Sequence, residues 1–180
     1  WEFHKDFGMA ESRGTLTIQL SGNIKRGGLI ETAFGITLRE AIYDFGGGTA
    51  SGRPVRAVQV GGPLGAYFPE KLLDTPLDYE AFAAKKGMLG HGGIVVFDDR
   101  VDLAKQARFA FEFCAKESCG KCTPCREGTW WLVQILKDLE SGKGEAKDLD
   151  KLLDLCDNIA GRSFCALADG AASPIISSIN

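Results

Sequence analysis

Three cysteines stand in one short segment of the chain, and a fourth cysteine follows well downstream. Cys119, Cys122 and Cys125 have the spacing Cys-x2-Cys-x2-Cys, and Cys165 lies near the C-terminus. This spacing lets three thiolates surround one corner of an iron–sulfur cluster, and a [4Fe–4S] cluster takes four ligands. The pattern therefore predicts a [4Fe–4S] cluster bound by these four cysteines, a group that passes one electron at a time.

The neighbours of these cysteines suit an anionic cluster. Gly120 allows a tight turn and a close backbone approach. Pro124 favours the first turn of a helix, whose N-terminal N–H groups attract anions. Lys121 and Arg126 add positive charge. Since positive charge and hydrogen bonds stabilise the reduced, more negative cluster, we expect them to make its reduction easier.

Two other uses of the cysteines remain open. Zinc also binds four cysteines, although its usual framework is a pair of Cys-x2–4-Cys knuckles. Disulfides are the second alternative, but six cysteines in 180 residues without a visible signal peptide are few for a disulfide scaffold. Cys114 is the alternative ligand to consider, because it lies five residues before Cys119. We expect Cys114 and Cys156 to be buried thiols, since both lie in apolar runs.

The composition excludes several classes of function. The chain is 44% hydrophobic and 25% charged, with a net charge of −3, which is typical of a soluble globular protein. No apolar stretch is long enough to span a bilayer, and no run of Lys and Arg marks a nucleic-acid site. Reduced cysteines favour a cytoplasmic location. The chain begins with Trp1 and ends without a terminating signal, so we expect it to be a piece of a longer polypeptide.

The first part of the chain is predicted to be a small α+β domain over residues 1–66. Thr37 and Glu40 form the sequence of a capping box for a helix that ends at Gly46. The glycines that follow this helix predict a helix end and a loop rather than a phosphate-binding loop. Alternating or β-branched runs predict three strands, at residues 15–20, 29–33 and 55–60. Nothing in this domain is predicted to be catalytic.

The second part is predicted to be helical. We expect residues 67–97 to be a connector with a short strand at Ile94–Phe97, and residues 98–180 to be an antiparallel four-helix bundle. Trp130 and Trp131 are expected in a core or an interface. The predicted helices run from Asp98 or Asp99 to Lys116, from Pro124 to Leu139, from Glu145 to Ala160, and from Leu167 to Ser178 with a bend or end at Pro174. This order puts Cys165 at the same end of the bundle as the other three ligands.

Several segments resemble one family of redox proteins. The resemblance is to the C-terminal part of the flavin- and NADH-binding subunit of respiratory complex I (the 51 kDa type), of NAD-dependent formate dehydrogenases and of hydrogenase diaphorases, and most of all to the β subunit of a formate dehydrogenase. It covers nearly the whole chain. The segments that carry it are Ser118–Gly128, Ser163–Gly170, Leu20–Gly28, Tyr43–Gly48 and Val60–Tyr67.

The resemblance implies a fold and a role. The fold would be a ubiquitin-like β-grasp domain of the soluble-ligand-binding type, followed by the helical iron–sulfur bundle. The chain would relay single electrons between FMN and NAD(H), held in an N-terminal domain or a partner chain, and other iron–sulfur subunits. Those partners would be a thioredoxin-like [2Fe–2S] subunit and a larger iron–sulfur subunit, in a complex peripheral to the inner membrane. No catalytic residue and no FMN- or NAD-binding residue is assigned to this chain.

Two other functions compete with electron relay. A zinc-stapled β-grasp module could bind a small ligand or a protein, and metal analysis would distinguish it. A whole NADH-oxidising enzyme would need a flavin site, so bound FMN and diaphorase activity would identify it.

Overall fold

The computed structural model describes Glu2 and His4–Ile179, which fall in two units, residues 1–101 and 102–180. Trp1, Phe3 and Asn180 lie outside the described residues. Within the described part, no helix combines the length and the apolar character needed to cross a bilayer.

The first unit is built on a five-stranded mixed sheet. A separate short pair, β1 and β2, precedes it; β3 then pairs in parallel with β7, and the other neighbours are antiparallel. The order across the sheet is β4-β3-β7-β5-β6. The strands are β1 (Gly8–Met9), β2 (Ser12–Arg13), β3 (Thr15–Gly22), β4 (Gly28–Ala33), β5 (Val55–Val60), β6 (Ala66–Pro69) and β7 (Gly93–Asp98). The four strands predicted from the sequence are β3, β4, β5 and β7.

Alternation along β3 shows why this segment becomes a strand. Ile18 and Leu20 are buried while Thr17 and Gln19 are exposed, because successive side chains of a strand point to opposite faces. The buried face joins one apolar core with residues of the other strands and the helices of this unit. That core includes Leu38, Ile42, Val58, Phe68, Phe82, Ile94 and Val96.

The capping box is present at the start of α1 (Leu38–Glu40). Thr37 Oγ1 accepts a hydrogen bond from Glu40 N at 3.1 Å, and Glu40 Oε2 accepts one from Thr37 N at 2.8 Å. The helix continues as a π turn over Ala41–Phe45 and ends at Gly46, as predicted. Leu38 and Ile42 are buried, whereas Phe45 is 43% exposed, because the wider π turn changes the angular spacing of the side chains.

The segment predicted as a connector also contributes β6, a 3₁₀ turn (Glu70–Leu72) and α2 (Tyr79–Ala84) to the first unit. Asp78 starts α2, since its side chain accepts a hydrogen bond from Ala81 N at 2.6 Å. Pro69 closes β6 at the edge of the sheet, where a proline costs no ladder bond. Neither β6 nor α2 was predicted from the sequence.

The second unit contains four long helices. Ion pairs join Arg108 to Glu140 and Glu112 to Lys137, so α3 and α4 run antiparallel. The helices are α3 (Leu103–Glu117), α4 (Thr123–Glu140), α5 (Lys147–Ile159) and α6 (Leu167–Ile179). Their buried side chains include Phe111, Leu132, Leu136, Leu152, Ile159, Ala168, Ala171 and Ile175. α6 runs through Pro174 and is not shortened there.

The predicted start of α3 is wrong. Asp102 caps the helix, because its Oδ1 accepts hydrogen bonds from Ala104 N at 3.0 Å and Lys105 N at 3.2 Å. Asp98 and Asp99 are engaged elsewhere, by Arg100 and Arg53 respectively. The helix therefore begins after both aspartates that were expected to cap it.

Candidate metal centre

One cavity in the second unit brings together all four cysteines predicted as ligands. The cavity has a volume of about 80 Å³ and lies where α3 ends, α4 begins and the α5–α6 loop returns. Its lining residues are Glu117, Ser118, Cys119, Cys122, Cys125, Ser163, Cys165 and Leu167.

Local backbone chemistry shapes the segment between α3 and α4. Gly120 adopts φ +79°, a conformation that favours glycine, so the chain can turn between Cys119 and Cys122. The Arg126 guanidinium holds this turn by donating to Gly120 O at 2.5 Å. Cys122 is the N-cap of α4 and Cys125 lies in its first turn, so the positive end of the helix dipole faces the sulfurs.

The α5–α6 loop approaches the same sulfurs from the other side. The backbone N–H of Phe164 donates to Cys122 Sγ at 3.4 Å. The loop itself is closed by Gly161 N, which donates to Asp169 Oδ1 at 2.5 Å. The Phe164 ring is 88% exposed, with Lys121 Nζ 5.9 Å from its centroid. The hydrogen bond from Phe164 to a sulfur positions Cys165, the next residue, beside the first three cysteines.

The four thiols differ in exposure. Cys125 is buried, Cys122 is intermediate, and Cys119 and Cys165 are exposed. Ser118 Oγ lies 3.3 Å from Cys125 Sγ and accepts a hydrogen bond from Gly120 N at 3.3 Å. Since the hydroxyl oxygen accepts from Gly120, its proton is available to the sulfur. The site therefore has a buried wall and a side open to solvent.

Close helix packing fixes the buried wall. Thr129 Oγ1 donates to Cys125 O at 2.7 Å, inside the first two turns of α4. A Cβ at Gly128 would lie 2.5 Å from Ile159 Cδ1, so α4 and α5 meet at a distance that only glycine allows. The absence of a side chain at Gly128 thus lets the start of α4 pack against α5.

The other two cysteines are buried thiols, as predicted. Cys114 and Cys156 lie within α3 and α5, and burial raises the pKa of each to about 12. Neither lines the cavity. All six cysteines are among the described residues and are free, so no disulfide joins them there. Trp130 and Trp131 are 55% and 48% exposed, so they lie outside the core of this unit, and an interface is the part of their prediction that stays open.

The groups that face the cavity show whether it suits an iron–sulfur cluster. Soft thiolates are the donors that bind iron–sulfur clusters. Within Glu2 and His4–Ile179, no three His, Cys, Asp or Glu side chains surround a point where one ion could sit; the four thiols instead line the wall of a cavity. Ser163 Oγ also lies in this wall, buried and without a hydrogen-bond partner among the described residues. Four thiols and one unpaired hydroxyl that are spread over the wall of a cavity suit a bound group of several atoms better than a single ion.

Two polar groups of the site were not predicted from the sequence. Ser118 directly precedes Cys119, and Ser163 stands two residues before Cys165. Their position beside predicted ligands was the one feature of the sequence that could have pointed to them. A serine whose hydroxyl hydrogen-bonds within its own loop would have the same neighbours in sequence.

Comparison with known proteins identifies the class of this site. Residues 105–180 match the family described as the NADH-ubiquinone oxidoreductase-F iron-sulfur binding region. The second unit therefore matches the iron–sulfur binding region of NADH-linked oxidoreductases, a family whose bound group is a [4Fe–4S] cluster.

Individual relatives match nearly the whole chain. The F subunit of the NADH-quinone oxidoreductase of Streptomyces coelicolor is 47% identical over 99% of this chain, which covers 39% of that protein. The HndC subunit of the NADP-reducing hydrogenase of Solidesulfovibrio fructosivorans is 42% identical over 99% of this chain, which covers 36% of it. A crystal structure of an NAD⁺-reducing [NiFe]-hydrogenase in the air-oxidized state matches with a TM-score of 0.88 at 28% identity, over 99% of this chain and 30% of that one. The chain thus spans less than two fifths of the length of each of these proteins.

Proposed function

We propose that this chain is an electron-transfer module of an NAD-linked oxidoreductase and holds one [4Fe–4S] cluster through Cys119, Cys122, Cys125 and Cys165. The observation that carries this proposal is that two loops far apart in the sequence meet at one cavity, which the four thiols line. When bound, such a cluster accepts and releases single electrons.

The residues of the site have separate tasks in this proposal. Cys125, with Ser118 against its sulfur, forms the dry side of the cavity. The exposed Cys119 and Cys165 leave the other side near the surface, where an electron donor or acceptor can approach. The N-terminus of α4 and the side chain of Lys121 offset the negative charge of four thiolates.

The electron donors and acceptors are proposed from the relatives. Two of the relatives are named as subunits of multisubunit oxidoreductases, and this chain matches only part of each. FMN and NAD would be held outside these residues, in a further domain or a partner chain. The other partners would be a thioredoxin-like [2Fe–2S] subunit and a larger iron–sulfur subunit, in a cytoplasmic complex that contacts the inner membrane peripherally. The assignment to a formate dehydrogenase stays a prediction.

The detailed fold class is proposed as well. The mixed sheet packed against a short helix supports a β-grasp domain of the ubiquitin-like type. The antiparallel pair α3 and α4, together with α5 and α6, supports a four-helix bundle. The division into residues 1–66, 67–97 and 98–180 stays a prediction.

The ligand set is tested by a matched pair of cysteine variants. We expect Cys165→Ala to lose the [4Fe–4S] cluster, because one iron would have no thiolate. Cys114→Ala should keep the cluster, since Cys114 does not line the cavity. Iron and acid-labile sulfide are measured on anaerobic protein, with EPR spectra of the reduced form. A complete four-iron spectrum in Cys165→Ala, or its loss in Cys114→Ala, would contradict the assignment.

The same measurements discriminate the competing functions. One zinc per chain without iron would favour the zinc-stapled binding module. Bound FMN together with diaphorase activity would favour a whole NADH-oxidising enzyme.

A further inference from the structure

The hydroxyl of Ser163 has no hydrogen-bond partner in a place where water cannot reach it. Its Oγ is buried and unsatisfied among the described residues. Buried polar side chains nearly always have a partner, and leaving one unmet costs free energy. An orphaned hydroxyl in an otherwise ordinary loop therefore calls for a specific explanation.

The surroundings of Ser163 point to a sulfur acceptor. Ser163 lines the same cavity as the four cysteines. The backbone N–H of the next residue, Phe164, already donates to Cys122 Sγ at 3.4 Å. On the opposite wall, the Ser118 hydroxyl lies 3.3 Å from Cys125 Sγ. Each loop of the site thus has one polar group directed at a sulfur, and Ser163 has a free hydroxyl hydrogen to add.

We propose that Ser163 donates its hydroxyl hydrogen to a sulfur of the iron–sulfur cluster bound in this cavity, and that this hydrogen bond raises the reduction potential of the cluster. The inference rests on the proposed function. A hydrogen bond to sulfur favours the reduced form, because that form carries one more negative charge on the cluster and its ligands. Ser163 is therefore a positioning and tuning residue rather than a ligand.

Three variants separate the hydroxyl from its packing. Ser163→Ala removes the donor, and Ser163→Thr keeps it while adding a methyl group. Ser141→Ala is the distant control, since Ser141 Oγ donates to Asp138 O at the far end of α4. Each protein is prepared anaerobically with its cluster. Iron and sulfide content is measured first, then the midpoint potential by EPR-monitored redox titration, then exchangeable-proton couplings by ENDOR in H₂O and D₂O.

The iron and sulfide content tests the proposed function, whereas the midpoint potential tests the role of Ser163. A wild-type chain without iron and sulfide overturns the proposed function and the inference together. With the cluster present, we expect Ser163→Ala to shift the midpoint potential downward and to lose one exchangeable-proton coupling. Ser163→Thr and Ser141→Ala should keep both wild-type values.

Two results would overturn the inference alone. The first is an unchanged potential and an unchanged proton coupling in Ser163→Ala with a full cluster. The second is that Ser163→Ala and Ser163→Thr both fail to hold the cluster to the same extent. Ser163 would then act only through the packing of its side chain and not through its hydroxyl hydrogen. Loading that is lost in Ser163→Ala and kept in Ser163→Thr supports the hydroxyl as the group that matters.

Discussion

The cysteines of this chain fall into two groups, and their position in the fold decides whether the thiol is buried or faces the cavity. Cys114 and Cys156 lie inside helices, buried among apolar side chains, and burial raises the pKa of each to about 12. The four others stand in a loop or at a helix start around one cavity. A buried helical cysteine is an apolar core residue, whereas a cysteine at the cavity can present its thiolate to a metal group.

The state of Cys156 can be checked by alkylation. At pH 8, a thiol whose pKa is about 12 is ionised in only about one molecule in 10⁴, and the thiolate is the reactive form. We expect Cys156 to remain unmodified by iodoacetamide in the folded protein and to react fully after unfolding in guanidinium chloride. Peptide mass spectrometry measures both. Stoichiometric modification of Cys156 in the folded protein would contradict this burial.

Features that depend on a few adjacent residues could be predicted from the sequence. The cysteine spacing and the apolar neighbours of Cys114 are visible in a few adjacent residues. The unsatisfied hydroxyl of Ser163 is not, because whether a serine has a partner depends on the loops and helices folded around it.

The starts of the helices also differ in how far they could be predicted from the sequence. The Thr37–Glu40 capping box was predictable because both of its hydrogen bonds join residues three positions apart. The start of α3 was not, because the candidate caps Asp98 and Asp99 are occupied by side chains from other segments, including Ser51 and Arg53. Asp102, which was not predicted as the cap, starts the helix by accepting hydrogen bonds from Ala104 N and Lys105 N.

The close approach of α4 and α5 at Gly128 gives a prediction for stability. A valine at this position would overlap Ile159, which is 3% exposed and cannot move into solvent. We expect Gly128→Val to lower the free energy of unfolding by about 1–3 kcal/mol, the usual cost of overpacking. Urea unfolding followed by far-UV circular dichroism measures the loss.

The double variant serves as the control for Gly128→Val. Ile159→Ala alone should also destabilise the protein, because it leaves a cavity. In Gly128→Val with Ile159→Ala, the added methyl groups occupy that space, so the loss should be smaller than the sum of the two single losses. Strictly additive losses would show that the two side chains do not share this space.

In the tertiary structure of the first unit, one buried carboxylate joins three segments of the chain. Asp98, at the end of β7, accepts hydrogen bonds from Arg100, Ser51 and Asn23. Its hydrogen bonds, above all that from Arg100, lower its pKa to about 2. The folded state thus favours the ionised form of Asp98.

This shift predicts how stability depends on pH. Because the folded pKa of about 2 lies below the unfolded value of about 3.9, the stabilisation is complete above about pH 5 and is lost as the pH falls toward 2. We expect Asp98→Asn to be less stable than wild type at pH 5 and to lose less stability between pH 5 and pH 3. Urea unfolding followed at NMR amide signals of β5 and β7 isolates this unit. An identical pH dependence in the two proteins would contradict the role of Asp98.

The change from strands to helices along the chain was visible in its sequence, but the pairing of the strands was not. Alternating or β-branched runs precede residue 98 and helical periodicity follows it, which predicted a sheet region and a helical region. The parallel pairing of β3 with β7 joins segments more than 70 residues apart, and β6 is a short strand that ends in Pro69. Register between distant strands depends on the folded sheet, so local patterns carry little information about it.

The proposed binding of a [4Fe–4S] cluster by four cysteines of this chain is tested most directly by the metal and sulfide content of the protein. Protein purified without oxygen is analysed for iron, zinc and acid-labile sulfide, and its dithionite-reduced form is examined by EPR. We expect about four irons and about four sulfides per chain and the EPR signal of a reduced [4Fe–4S] cluster. Colourless protein that contains zinc, or no metal, and lacks acid-labile sulfide would contradict the claim.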